Sequence, residues 1–204
     1  WGHYPVADIQ FETDAPVSVA LRAWAPLIPG DKASSNIPAA VFEVRLHNAT
    51  ETQQDGTIAI NFPGPDHEEA GSTDFTRQVI DEDFRGVLIS STGRVNYVLG
   101  VLEGDCIRFG AGLSSRPDAW SKISSELPVP GMREACGRTL CQDSSCSAAV
   151  DFSLQSGEQK QVKFLLTWYA PVWEGGHAKH VKWTERQGHD LQVVSMTRRS
   201  WLGR

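Results

Sequence analysis

A chain of 204 residues, 40% hydrophobic and 22% charged, is long enough to bury a core and too apolar to stay disordered. The formal net charge is −6, and outside a short basic end (Arg198, Arg199, Arg204) there is no positive stripe, which argues against a nucleic-acid partner. With no run of about 18 apolar residues and no signal peptide, the chain reads as a soluble protein, the cytoplasm favoured, with the compartment left open by a first residue that is not Met.

Hydrophobicity alternates with a period of two along most of the chain, the signature of half-buried antiparallel strands. Segments 4–12 and 17–24 come first. Phe42, Val44 and Leu46 then oppose Glu43, Arg45 and His47, and Ile58, Ile60 and Phe62 oppose Thr57, Ala59 and Asn61. Further strands are predicted over 75–81, 85–91, 95–103 and 105–110. Val150, Phe152 and Leu154 follow, then Val162, Phe164, Leu166 and Trp168, and last 191–197. Turn residues separate them at Pro29-Gly30-Asp31, Asp55-Gly56, Pro63-Gly64-Pro65, Ser91-Thr92-Gly93, Gly110-Ala111-Gly112 and Ser156-Gly157-Glu158. The best helix candidate is short, from Pro117 to about Leu127, with Trp120, Ile123 and Leu127 on one face; an irregular insertion fits that segment equally. Segments 63–74 and 128–147 read as loops. The expected fold is all-β, an antiparallel two-sheet sandwich of the supersandwich kind with little helix. Residues 1–175 form the sandwich domain, and 176–204 a divergent tail, either an added strand or disordered.

The motifs of familiar chemistry are missing: there is no G-x-S-x-G, H-E-x-x-H, Walker loop or dinucleotide-binding glycine motif. The acidic groups at Glu68-Glu69 and Asp81-Glu82-Asp83 lie in polar sequence and read as solvated charge, without the ligand spacing of a calcium loop. Cys136, Cys141 and Cys146, with Cys106 elsewhere, are spaced too widely for a typical zinc site. A disulfide, or a site completed by His177 or His180, is weighed against free thiols on a surface loop, which the spacing favours. No metal, cofactor or catalytic residue is expected. Asn48-Ala49-Thr50 forms a glycosylation sequon.

Two stretches carry a resemblance. The first is Trp24-Ala25-Pro26-Leu27-Ile28-Pro29-Gly30-Asp31, followed by Ser35-Asn36-Ile37-Pro38-Ala39-Ala40-Val41-Phe42-Glu43-Val44 and Asn48-Ala49-Thr50. The second is Leu154-Gln155-Ser156-Gly157-Glu158, followed by Val162-Lys163-Phe164-Leu165-Leu166-Thr167-Trp168-Tyr169-Ala170-Pro171. With Tyr4-Pro5-Val6-Ala7-Asp8 before them, they resemble the N-terminal domain of glycoside hydrolase family 116, the non-lysosomal glucosylceramidase and bile-acid β-glucosidase family. The family's glycine-rich opening segment is absent here. The resemblance implies a non-catalytic accessory domain or fragment that packs on a helical (α/α)6 barrel. That barrel holds the family's two catalytic carboxylates, and it lies outside this sequence. Trp24 and Trp168 are expected to anchor the sandwich core. The alternative is a free-standing carbohydrate-binding module, for which Trp120 and Trp173 are the candidate sugar-stacking rings, among the tryptophans of the less regular regions. A small hydrolase in its own right would need a pair of perturbed carboxylates in a cleft. An orphaned face, left without its barrel, is expected to self-associate or to be covered by the tail.

Overall fold

The computed structural model describes residues 2–82, 84–91, 95–135, 138–170 and 192–197. Fourteen strands occur among the described residues: β1 (Gly2–His3), β2 (Val6–Phe11), β3 (Val17–Trp24), β4 (Ala39–Asn48), β5 (Gln54–Phe62), β6 (Thr76–Asp81), β7 (Arg85–Ser90), β8 (Asn96–Glu103), β9 (Ile107–Ala111), β10 (Met132–Ala135), β11 (Arg138–Cys141), β12 (Cys146–Leu154), β13 (Gln159–Tyr169) and β14 (Gln192–Thr197). They form an eight-stranded sheet in the order β1-β2-β3-β4-β13-β8-β7-β6, a four-stranded sheet β14-β5-β12-β9, and the hairpin β10-β11. Every pairing is antiparallel. The protein is an all-β, two-sheet sandwich with little helix.

Alternation builds the core. Val17, Val19 and Leu21 of β3, Val44 and Leu46 of β4, Val162 and Phe164 of β13, and Leu99 and Val101 of β8 point inward from the large sheet. Ile58 and Ile60 of β5 and Val150, Phe152 and Leu154 of β12 meet them from the small one. At one end the connections are tight, over 12–16, 49–53, 82–84, 104–106 and 155–158. At the other end run the long ones, over 25–38, 63–75 and 112–131. The two sheets are in step, because Asn48 at the end of β4 bonds to the end of β12, while the Phe62 and Tyr97 rings meet at 5.0 Å at the opposite end.

Several expectations are corrected. Asp55-Gly56 is not a turn: both residues lie within β5, paired with β12, and the turn falls earlier, at 49–53. Of the two readings of 117–127, the α-helix is not found and the irregular one is: the segment holds a single 3₁₀ turn, Trp120–Lys122, preceded by another at Leu113–Ser115, and Ser121 and Ser125 hydroxyls bond back to the carbonyls of Asp118 and Lys122 and compete with a regular helix. Its apolar side chains still share a face. Leu113, Ala119 and Ile123, with Trp120 and Leu127, pack on Ala59 and Ala149 and cover the outer face of the small sheet. Segment 63–74 contains a one-turn helix, α2 (His67–Ala70), capped by Asp66 and closed by Gly71 at φ +63°. Segment 128–147 is not a loosely packed loop. It holds the β10-β11 hairpin, and Cys141 and Cys146 are buried in the main core.

Candidate interdomain surface

The end with the long connections is where the sequence motifs gather. Segment 25–38 is tightly built. Ile28-Pro29-Gly30-Asp31 closes a turn through Asp31 N–H to Ile28 C=O at 3.0 Å. Gly30 takes the φ of +89° that a type II turn requires at its third position. Asp31 then caps α1 (Lys32–Ser35), its carboxylate accepting from Ser34 N–H at 3.0 Å and Ser34 Oγ at 2.6 Å. Those bonds hold its carboxyl below the ordinary carboxylate range. Ser35 Oγ accepts from Ile28 N–H at 2.8 Å and donates to Ile28 C=O at 3.0 Å. Pro38 C=O receives Trp168 N–H at 3.1 Å, which ties the segment to β13.

This ordered backbone presents apolar side chains to solvent. Fractional exposure is 84% at Tyr4, 36% at Trp24, 42% at Leu27, 52% at Ile28, 52% at Ile37, 37% at Trp168 and 61% at Tyr169. Most of the large exposed hydrophobic residues of the described chain therefore sit at one end. Single exposed apolar residues are ordinary; a cluster on a rigid loop marks a contact surface. The expectation that Trp24 and Trp168 anchor the core is corrected: Trp24 is out of phase with the inward Val17, Val19 and Leu21 of β3, and Trp168 lies one residue from the end of β13. Leu166 is likewise only half-buried. Leu27, Ile28 and Ile37 were not singled out as functional. The signal was available, since aliphatic side chains are out of place in a turn rich in proline and glycine.

The other candidates fall elsewhere. Trp120 is half-buried on the small cluster over β5 and β12, and Trp173, His177 and His180 lie outside the described residues. Glu69 accepts a bond from Tyr97 Oη, and Asp81 pairs with Arg85 at 2.9 Å. No group of three metal-ligating side chains occurs among the described residues, and no helix among them is long and apolar enough to cross a membrane. The sequon's Asn48 is fully buried. Its Nδ2 donates to the carbonyls of Thr52, Leu154 and Gln155 at 2.8, 3.1 and 2.9 Å, and its Oδ1 accepts from Thr50 N–H and Oγ1. The atom that a glycan would need is committed to the fold. Cys106 is exposed with a free thiol. Burial raises the Cys141 thiol and pushes Cys146 up to about 12.

Comparison with known proteins adds the lineage. The family described as beta-glucosidase 2, glycosyl-hydrolase family 116 N-term, matches residues 1–193. No curated protein matches the chain. Among solved structures, a human-microbiome protein assigned as a kojibiose phosphorylase aligns with 80% of this chain and 18% of its own, at 8% identity and a TM-score of 0.41. That likeness is too remote to argue from.

Proposed function

We propose, for a chain that belongs to the N-terminal region of glycosyl-hydrolase family 116, a non-catalytic accessory role in which the long-loop end of the sandwich docks on the family's helical catalytic barrel. One observation carries this reading: the family-like motifs supply the exposed Trp24, Leu27, Ile28, Ile37, Trp168 and Tyr169 on a backbone too well bonded to be a random loop. Permanent interfaces are more apolar than ordinary surface, and a domain separated from its partner shows that excess to water. The barrel would supply the two carboxylates of glycoside hydrolysis, and this domain would fix one wall of the assembly.

Two measurements test the proposal. The purified chain should not turn over an aryl β-glucoside; hydrolysis that survives repurification and disappears on a single Asp or Glu substitution would make it an enzyme. In the two-domain protein, Ile28→Asp should loosen the attachment and speed proteolysis between the domains. Unchanged cleavage would defeat the docking role. Sugar binding by the isolated chain, lost on Trp120→Ala, would favour the free-standing carbohydrate-binding module instead.

A further inference from the structure

The outward face of the eight-stranded sheet is hollow where its strands carry amides. Directly paired residues share a face, so the register gives the rows of that face. One row runs Gln10, Ala20, Arg45 and Gln161 across β2, β3, β4 and β13. On its tight-turn side stand Ser18, His47 and Gln159. On its loop-end side stand Asp8, Arg22, Glu43 and Lys163. Ala20 is the short side chain in the middle, and two grooves meet over it. One, of about 340 Å³, has Ser18, Ala20, Arg45, His47, Gln159 and Gln161 in its lining. The other, of about 360 Å³, has Asp8, Gln10, Ala20, Arg22 and Arg45. Together they make a trough over four strands, three strand spacings or about 14 Å across.

The lining selects the ligand. Its charges are already spent. Arg22 Nε and Nη2 donate to the two oxygens of Asp8 at 2.7 and 3.2 Å, Arg45 Nε donates to Glu43 at 2.8 Å, and Lys163 pairs with Glu103 at 3.2 Å. The trough therefore offers neither an anion nor a cation a net counter-charge. Its neutral groups are unspent: the side-chain amides of Gln10, Gln159 and Gln161 and the ring of His47 make no hydrogen bond among the described residues. Each amide carries two donors and an acceptor oxygen, and a neutral imidazole carries one of each. An extended peptide would seek a sheet edge, where backbone groups are free, and not a sheet face. A ligand that answers closely spaced donors and acceptors without charge is a polyhydroxylated one. No Phe, Tyr or Trp lines either groove, so hydrogen bonds and not stacking hold it.

We propose that this trough is a weak binding site for an uncharged glycan, a short oligosaccharide lying across β2, β3, β4 and β13 with its hydroxyls on Gln10, Arg45, His47 and Gln161. The site goes beyond the accessory role and does not depend on it. Ala20 precedes Trp24 by four residues on β3, on the tight-turn side, so a partner on the loop end need not cover the trough. It is also distinct from a sugar-stacking site at Trp120, which lies over the small sheet.

Titration of the isotopically labelled chain with cellotetraose, maltotetraose and xylotetraose, followed by NMR, tests this. At least one of them should shift the side-chain amide signals of Gln10, Gln159 and Gln161 and the backbone signals of Ala20 and Arg45 saturably, while Trp120 and Leu27 stay fixed. Gln161→Ala should weaken that binding about three- to tenfold, the share of one or two hydrogen bonds. Ala20→Phe, which fills the floor, should abolish it, and Trp120→Ala should bind as wild type does. Gln161 is exposed, so its variant should melt with wild type, and it decides the matter alone if Ala20→Phe melts early. Failure of all three oligosaccharides to shift these signals would overturn the proposal, as would shifts confined to Trp120 or to the loop end. Shifts from inorganic phosphate with none from the sugars would make the trough an anion site and overturn it too. Loop-end docking is decided separately by Ile28→Asp, so either reading can fall without the other.

Discussion

Asn48 shows how a single side chain can serve the fold where its sequence suggests surface chemistry. All of its hydrogen-bonding capacity is used inside the protein, joining the 49–53 turn to the end of β12. Asn48→Ala takes the amide donor from the buried Leu154 carbonyl, while the Thr52 carbonyl keeps bonds from Thr50 Oγ1 and Gln54 Nε2. At about 1–3 kcal/mol for a buried group left unpaired, the substitution should cost roughly 1–3 kcal/mol in urea unfolding. A loss below about 0.5 kcal/mol would mean that water replaces the amide. When the chain is passed through a secretory pathway, Asn48 should leave it without a glycan, which intact mass will show. Cys146 gives a second residue-level prediction. Its pKa is raised from 9.0 to about 12 by burial, so the folded state holds its proton more tightly than the unfolded chain does. Stability from this group is complete below the ordinary thiol pKa and is lost as pH rises toward about 12. Wild type should therefore lose melting temperature through that window faster than Cys146→Ala, and parallel curves would contradict the assignment. Cys106 should react with a thiol reagent at once, while Cys141 and Cys146 react only as the fold opens.

At the scale of elements, the strands were legible and the coverings were not. Alternation located β3 at its observed limits and fixed the inward faces of β4, β12 and β13, because water on one side and a core on the other act on every second residue. Asp55-Gly56 misled because the pair is a good hairpin turn in isolation, whereas here β12 pairs across it and holds it extended. In the 117–127 segment the apolar face is legible and the backbone is not, since a short helix and an irregular insertion fit the sequence equally. Packing on Ala59 and Ala149 needs Trp120, Ile123 and Leu127 on one side, which 3₁₀ turns satisfy as well as an α-helix over so short a span. Ile123 is fully buried there, and Ile123→Ala should cost roughly 2–5 kcal/mol. A cost near zero would mean that the segment is a loose cover and not a third layer. The exposure of Trp24 is legible, since it breaks step with the inward Val17, Val19 and Leu21; that of Trp168, in step with Val162 and Phe164, could not be read from its own position. A large ring at a strand end belongs inside or at a contact surface depending on how far the opposite sheet extends, and that length is set by residues distant in sequence.

For the whole molecule, an apolar end on one domain has a consequence for the isolated chain. Exposed patches of this kind find partners, and when the natural one is absent a second copy is the nearest substitute. The isolated chain should therefore self-associate reversibly with rising concentration, and light scattering should show mass above that of the 22.4 kDa monomer. β14 pairs antiparallel with β5 and occupies an edge of the small sheet, so it covers neither the loop end nor the outward face of the large sheet. Deleting 192–204 should then expose the β5 edge and add to association. Ile28→Asp combined with Leu27→Asp should reduce association by placing charge in the patch. Both sites are already solvent-exposed, so the melting temperature should hardly move, as surface changes usually stay within about ±0.5 kcal/mol. Association that persists unchanged in the double variant, and disappears on deletion of 192–204, would assign self-contact to the tail and remove the main support for an orphaned loop end.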